Sequence, residues 1–398
     1  MGRGTRAYLP VAGLVAVACL GLAGGAWAKV EKGPKGLAFY DPPKLKGAAH
    51  GAPLWARSLK GTAALTPSGG NRLVLYRSLD HRDRSVAVSG TITVPEGEPP
   101  KGGWPILAYG HGTTGIADQC APSRDTETNP AHLYISYIYP FLDEWVEAGY
   151  AVVRSDFQGL GTPGTHGFLA GAEEGRAILD LAKAARKVDP EIGKQVVIAG
   201  HSQGGHAALW AAALESKYNR DLDVRGTVAF APASHIEEQA KLIGALSAPG
   251  GGLSGLAALI LRGVSVAHPE LEVAKLLAPE AKALFPDTLT ECEPQLAEPD
   301  SFGGIAPADL LRSGVDAESL YAALGESDPE TLKIKRPLLI AQGSADGTVY
   351  PFLTDQLVEE LEGRGADLDY RTYEGVDHGT IPTAALDDAL QFADSRLR

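Results

Sequence analysis

The segment Gly200-His201-Ser202-Gln203-Gly204 carries the clearest chemistry in the chain. It lies between an apolar run at 195–199 and an Ala-rich stretch of helical spacing at 205–218. A serine on a sharp strand-to-helix turn is a nucleophile elbow, and the flanking glycines suit backbone too crowded for a Cβ. The helix that follows aims its first amides, and the positive end of its dipole, at the serine oxygen and at an oxyanion formed beside it. The pattern Gly-x-Ser-x-Gly occurs once in the 398 residues.

A serine hydroxyl attacks only when a base takes its proton, and the base needs an acid to hold it. After such an elbow the chain order is Ser, then Asp or Glu, then His. The last hundred residues contain one histidine, His378, in Gly375-Val376-Asp377-His378-Gly379 just past a predicted strand. Asp346, in Gln342-Gly343-Ser344-Ala345-Asp346-Gly347, follows the preceding predicted strand and is the expected acid. Asp377 is its rival, although adjacency to His378 makes a hydrogen bond to that ring hard to form. The second oxyanion donor belongs to a loop after an earlier strand, here Tyr109-Gly110-His111-Gly112-Thr113-Thr114-Gly115. The Thr113 N–H is taken for that role, paired with the Gln203 N–H, with Gly112 and Thr114 as alternatives. His201 and His206 flank the nucleophile and read as structural, and Asp156, after the strand ending at Ser155, is assigned no role. No cluster of Cys and His at zinc-ligand spacing is present, so neither a metal nor an organic cofactor is expected.

The elements that must position these residues can be read from hydrophobic periodicity. Residues 72–79 and 85–94 alternate apolar and polar around the charged turn 80–83, as an antiparallel hairpin does. Strands are predicted at 105–109, 150–155, 195–199, 226–231, 337–342 and 367–373. Helices are predicted at 137–148, 171–188, 205–218, 356–363 and 383–397. Short apolar runs separated by helices imply a mostly parallel sheet covered on both faces, an α/β fold. The alternation breaks across 234–333, which is Ala/Leu-rich and punctuated by Gly250-Gly251-Gly252, Pro286 and Gly303-Gly304. That stretch is expected to be a helical cap inserted between two strands. Residues 253–261 within it read as a lid helix, as the wall of an acyl pocket, or as a buried cap helix. The expected organisation is a leader at 1–28, a surface extension at 29–70, core at 71–233, cap at 234–333 and core at 334–398.

The leader has Arg3 and Arg6, an apolar stretch at 9–22 and the small-x-small pattern Ala26-Trp27-Ala28 of a cleaved export signal. A retained membrane anchor and a lipoprotein site at Cys19 are the two rival readings. Five Pro and Gly interruptions between Pro10 and Gly25 weaken the anchor. Cleavage after Ala28 removes two Arg and no acid, taking the formal net charge from −13 to −15. Such a charge repels phosphate backbones and anionic membranes, so nucleic acid is not an expected partner. Of the three cysteines, Cys19 leaves with the leader, and Cys120 and Cys292 remain to pair in an oxidising compartment.

From about residue 70 onward the chain resembles the secretory lipases, a branch of the α/β-hydrolases. The resemblance rests on Tyr109-Gly-His-Gly-Thr-Thr-Gly115 with Cys120 shortly after, and on Ser155-Asp-Phe-Gln-Gly-Leu-Gly-Thr-Pro163. Gly200-His-Ser-Gln-Gly-Gly-His-Ala-Ala208, the cap insertion and Val376-Asp-His-Gly379 complete it. It implies an α/β-hydrolase fold and hydrolysis of carboxylic esters, often triacylglycerols, under a cap that shapes an acyl-binding tunnel. The expected partner is then a small-molecule or lipid ester, with transient contact at a lipid interface. A serine peptidase or amidase uses the same constellation, and an inactive relative kept for binding is a third reading. Acyl chain-length preference and oligomeric state are not expressed in the sequence.

Overall fold

The structure is a computed structural model that describes residues 1–2, 30–45 and 49–397. The expected cleavage point at Ala28 and the lipoprotein reading at Cys19 lie outside the described residues. Among the described residues no helix is long and apolar enough to cross a membrane.

Nine strands form one sheet: β1 (Pro53–Ser58), β2 (Gly70–Leu79), β3 (Ser85–Val94), β4 (Trp104–Gly110), β5 (Ala151–Ser155), β6 (Ile192–His201), β7 (Asp223–Phe230), β8 (Leu338–Gly343) and β9 (Leu368–Tyr373). Their spatial order is β1-β2-β3-β5-β4-β6-β7-β8-β9. The first three strands pair antiparallel, β3 meets β5 antiparallel, and every pairing from β5 to β9 is parallel. The central strands are apolar on both sides because each face is covered. Along β4, Ile106 and Ala108 pack to one face while Leu107 and Tyr109 pack to the other.

Before the cap come α1 (His132–Ser136), α2 (Tyr139–Glu147), α3 (Gly171–Val188) and α4 (Gln203–Tyr218). The cap holds α5 (Ile236–Gly244), α6 (Gly252–Ala267), α7 (Pro279–Leu284), α8 (Glu293–Leu296) and α9 (Glu318–Gly325). After it come α10 (Pro351–Gly363), α11 (Ile381–Ala384) and α12 (Leu386–Leu397). Helices α3, α4 and α10 cover one face, and α2, α11 and α12 the other. The cap has its own apolar core, in which Ile236, Leu259, Phe285, Phe302 and Leu320 are buried together.

Two local readings differ from the sequence expectation. Residues 29–70 are more than a surface extension, because β1 pairs with β2 as the sheet's edge strand and buries Trp55 beside Phe39. Its six residues begin at a proline and are mostly half-buried, so no clean alternation announces them. Helix α10 starts five residues earlier than its apolar spacing suggested, at Pro351, where a proline's missing N–H costs nothing.

Candidate active site

Strand β6 runs directly into Ser202, which sits at φ 58° and ψ −119°, and α4 begins at the next residue. The turn is tight enough to exclude side chains at its neighbours. A Cβ on Gly200 would lie 2.0 Å from the Gly204 carbonyl oxygen, and one on Gly204 would lie 1.9 Å from that of Gly110. The Ser202 N–H donates to the Phe230 carbonyl at 2.9 Å, holding the strained residue against β7.

His378, in the loop after β9, brings Nε2 to 2.9 Å from Ser202 Oγ. Its Nδ1 lies 2.7 Å from Asp346 Oδ2 in the loop after β8. A carboxylate partner makes Nδ1 the protonated nitrogen and leaves Nε2 free to accept from the serine. The Asp346 side chain is fully buried, and its Oδ1 accepts from the Thr348 and Val349 amides, each at 2.8 Å. Gln342 Nε2 donates to Asp346 Oδ2 at 3.1 Å. Asp377 turns elsewhere: its Oδ1 accepts from Thr380 N at 2.9 Å and Thr380 Oγ1 at 2.6 Å. Those bonds hold its carboxyl below the usual carboxylate range.

Gly112, Thr113, Ser202 and His378 share the wall of one cleft of about 760 Å³. Thr113, Ser202 and Gln203 also line a smaller apolar slot of about 30 Å³ that runs under the cap beside Phe168 and Ile260. Helix α6 faces both, with Leu256 on cleft and slot while Ala258 and Leu259 are buried in the cap. The predicted lid or wall helix is thus also a cap-core helix.

The cysteines pair, Cys120 with Cys292, across 172 residues. The pair joins the segment after the Thr113 loop to the cap. Cys292 bridges Gly115, and the next residue's N–H, on Glu293, donates to the Thr114 carbonyl at 3.0 Å.

Two residues of this region, Glu174 and His166, carry no signal in the sequence. Gln203 Nε2 donates to Glu174 Oε1 at 2.7 Å and to His166 Nε2 at 2.8 Å, all three buried. His166 Nδ1 faces the Gln158 carbonyl at 2.9 Å, which makes Nδ1 the donor and Nε2 the acceptor. The polar cluster therefore fixes the residue after Ser202 from behind. His206, on the same helix turn, contacts the Ser327 carbonyl at 2.8 Å and stays away from the cleft. His201 does line the cleft, its Nδ1 2.5 Å from the Tyr137 hydroxyl and its ring 4.6 Å from that of His378. Burial drives its pKa well below the ordinary histidine value and His378 lowers it further, so His201 is neutral. Asp156 ties the segment at Ser123 to β3: it accepts from Ser89 Oγ at 2.6 Å, from Ser123 N at 2.8 Å and from Ser123 Oγ. For a metal, His235, Glu330 and Glu360 bring donor atoms within 4.8 Å of one another, and none of the three lines the cleft.

The sheet order, the elbow and the cap define an α/β-hydrolase fold. Residues 127–297 match the family described as Secretory lipase. It is similar to Lipase A of Moesziomyces aphidis, 30% identical over 244 residues that make up 59% of this chain and 50% of that one. The chain thus spans about half the length of that relative. The secreted triacylglycerol lipase LIP7 of Malassezia globosa is 24% identical over 379 residues, 90% of this chain and 78% of that one. The solved structure of Candida antarctica lipase A superposes with a TM-score of 0.72 at 21% identity, over 88% of this chain and 83% of that one. That likeness speaks for the fold.

Proposed function

We propose that the chain is an exported carboxylic ester hydrolase of the lipase/esterase kind, acting through an acyl-enzyme on Ser202. The observation that carries this reading is the continuous hydrogen-bonded line from Ser202 Oγ through the His378 ring to buried Asp346. His378 Nε2 takes the Ser202 proton as Oγ attacks the ester carbonyl carbon. Asp346 stabilises the imidazolium that forms, and the Gln203 and Thr113 N–H groups bind the oxyanion. The imidazolium then gives its proton to the leaving alcohol as the C–O bond breaks. Water, deprotonated by the same nitrogen, attacks the acyl-enzyme and releases the acid with Ser202 restored. Export with cleavage near Ala28 completes the reading, in accord with the leader pattern and the disulfide.

Ester chemistry is favoured over peptide chemistry by the family match and by the cleft, which has apolar walls at Leu133, Leu253 and Leu256. Two assays test it. A fluorophosphonate probe should label the wild type and not Ser202→Ala, and equal labelling of both overturns the nucleophile. A 4-nitrophenyl ester series run beside peptide anilides should show turnover of esters, and faster turnover of the anilides would establish a peptidase instead. Extending the esters from acetate to triacylglycerol emulsions measures acyl preference and contact with a lipid interface.

A further inference from the structure

The two cavities at Ser202 differ in which side of an ester each can hold. In the acyl-transfer reading, on which this inference rests, His378 Nε2 protonates the leaving alcohol. The alcohol therefore lies over His378, and His378 lines the large cleft, whereas the slot under the cap is lined by Thr113, Ser202 and Gln203 with apolar side chains. The slot is the acyl side. A water needs at least about 10–15 Å³ of such space, so about 30 Å³ accommodates a short acyl tail. The alcohol faces about 760 Å³ of cleft.

One wall of that cleft carries Glu293. It is 5% exposed, and its Oε2 is buried with no hydrogen-bond partner among the described residues. A buried carboxyl oxygen without a donor is costly, and Glu293 keeps one such oxygen beside the hydrogen bond its side chain makes with Tyr134. The residue is held firmly. Its own N–H is bonded to Thr114 O, its neighbour Cys292 is in the disulfide, and its Oε1 lies against the first turn of α6, 3.5 Å from where a Gly252 Cβ would stand. Tyr134, also on the cleft, places its hydroxyl close enough to feel that carboxyl: burial first, and then Glu293, push it up to about 12.

We infer that Glu293 and Tyr134 form a polar subsite for a hydroxyl group on the alcohol part of the substrate, so that the cleft selects esters of polyols over esters of plain alkanols. The carboxyl accepts the substrate's O–H, and the Tyr134 hydroxyl supplies a second group that can donate or accept.

The test compares kcat/KM for glycerol monoacetate with that for propyl acetate, which share the acyl group and differ in two hydroxyls. The wild-type ratio should exceed one. In Glu293→Leu it should fall about tenfold or more, the range of a hydrogen bond to a charged or polar buried partner. Glu293→Gln, which keeps shape and an acceptor oxygen, should recover most of the ratio, and Tyr134→Phe should lower it to an intermediate value. A ratio that is the same in wild type, Glu293→Leu and Tyr134→Phe overturns the subsite. If Glu293→Leu does not fold, Tyr134→Phe decides on the same ratio: an unchanged ratio overturns the subsite. A wild type that cleaves neither acetate and takes no fluorophosphonate overturns the hydrolase reading itself, an outcome distinct from an unchanged ratio.

Discussion

Glu293 donates its backbone N–H to the Thr114 carbonyl at 3.0 Å, and through this bond the cap holds the loop that carries Thr113. The Cys120–Cys292 disulfide and the Gly115–Cys292 bridge are both made by the adjacent residue, Cys292. Separating the cysteines should therefore affect turnover as well as stability. Cys292→Ala with Cys120→Ala is expected to lose about 2–4 kcal/mol of stability. It should also lower kcat on 4-nitrophenyl acetate at temperatures where the protein remains folded by circular dichroism. An unchanged kcat would mean that the Thr113 loop keeps its place without the tether.

The Thr113 amide is expected to serve the oxyanion, and proline at that position has no N–H to offer. Thr113→Pro should cost about 3 kcal/mol of transition-state stabilisation, seen mainly in kcat. Near-normal turnover would move the role to Gly112 or Thr114, the neighbouring amides of the same loop.

Asp346 fixes which His378 nitrogen carries the proton. Asp346→Asn offers that ring an amide that can donate, which favours the wrong tautomer while leaving the shape intact. The expected loss in kcat is about 10³–10⁴-fold, with little change in thermal unfolding. Asp377→Asn, whose carboxyl bonds to Thr380, should stay within about tenfold of the wild type. A reversal of these two effects would exchange the roles of the acids.

The α/β class was legible because the central strands are short apolar runs and the helices between them keep their spacing. The elbow was legible because it is local: five consecutive residues express both the turn and the proposed nucleophile. Asp346 and His378 could be placed by chain order, and the structure puts them in one hydrogen-bonded line with Ser202. What escaped is whatever depends on contacts across the chain. Glu174 and His166 lie 29 and 37 residues from Gln203, and nothing in their own neighbourhoods marks them as its partners. Glu293 was hidden for the same reason, since its burial follows from α6 and the disulfide folding over it. Edge strand β1 was missed because an edge needs neither length nor full burial.

Gln203 and Glu174 supply a prediction about positioning. Glu174 Oε1 accepts from Gln203 Nε2 at 2.7 Å and from the Leu169 N–H at 3.1 Å. Glu174→Leu leaves both donors unpaired, costing about 1–3 kcal/mol for each buried group. With Gln203 less firmly held, kcat should fall about tenfold while KM stays within about twofold. Glu174→Gln, which keeps an acceptor at Oε1, should retain most of both. Equal losses of stability without any change in kcat would make the cluster purely structural.

Glu293 gives the fold a pH dependence whose sign can be worked out. Burial raises its pKa from the ordinary 4.5 to about 7, with a smaller opposing effect from Tyr134. Between those values the folded protein holds a proton at Glu293 that the unfolded chain has released, so stability falls as pH rises. This contribution is fully present below about pH 4.5 and is lost as pH passes through about 7. Glu293→Gln stays neutral in both states and removes the dependence. Urea unfolding at pH 5 and pH 8 should therefore show Glu293→Gln gaining stability relative to wild type at the higher pH. A difference that is flat, or of opposite sign, would mean that Glu293 is ionised in the folded protein throughout this range. The polyol subsite would then operate with a carboxylate alone, and the ratio of glycerol monoacetate to propyl acetate turnover should not change between pH 6 and pH 8. With the pKa near 7, that ratio should instead rise over the same interval as the carboxylate, the stronger acceptor, forms.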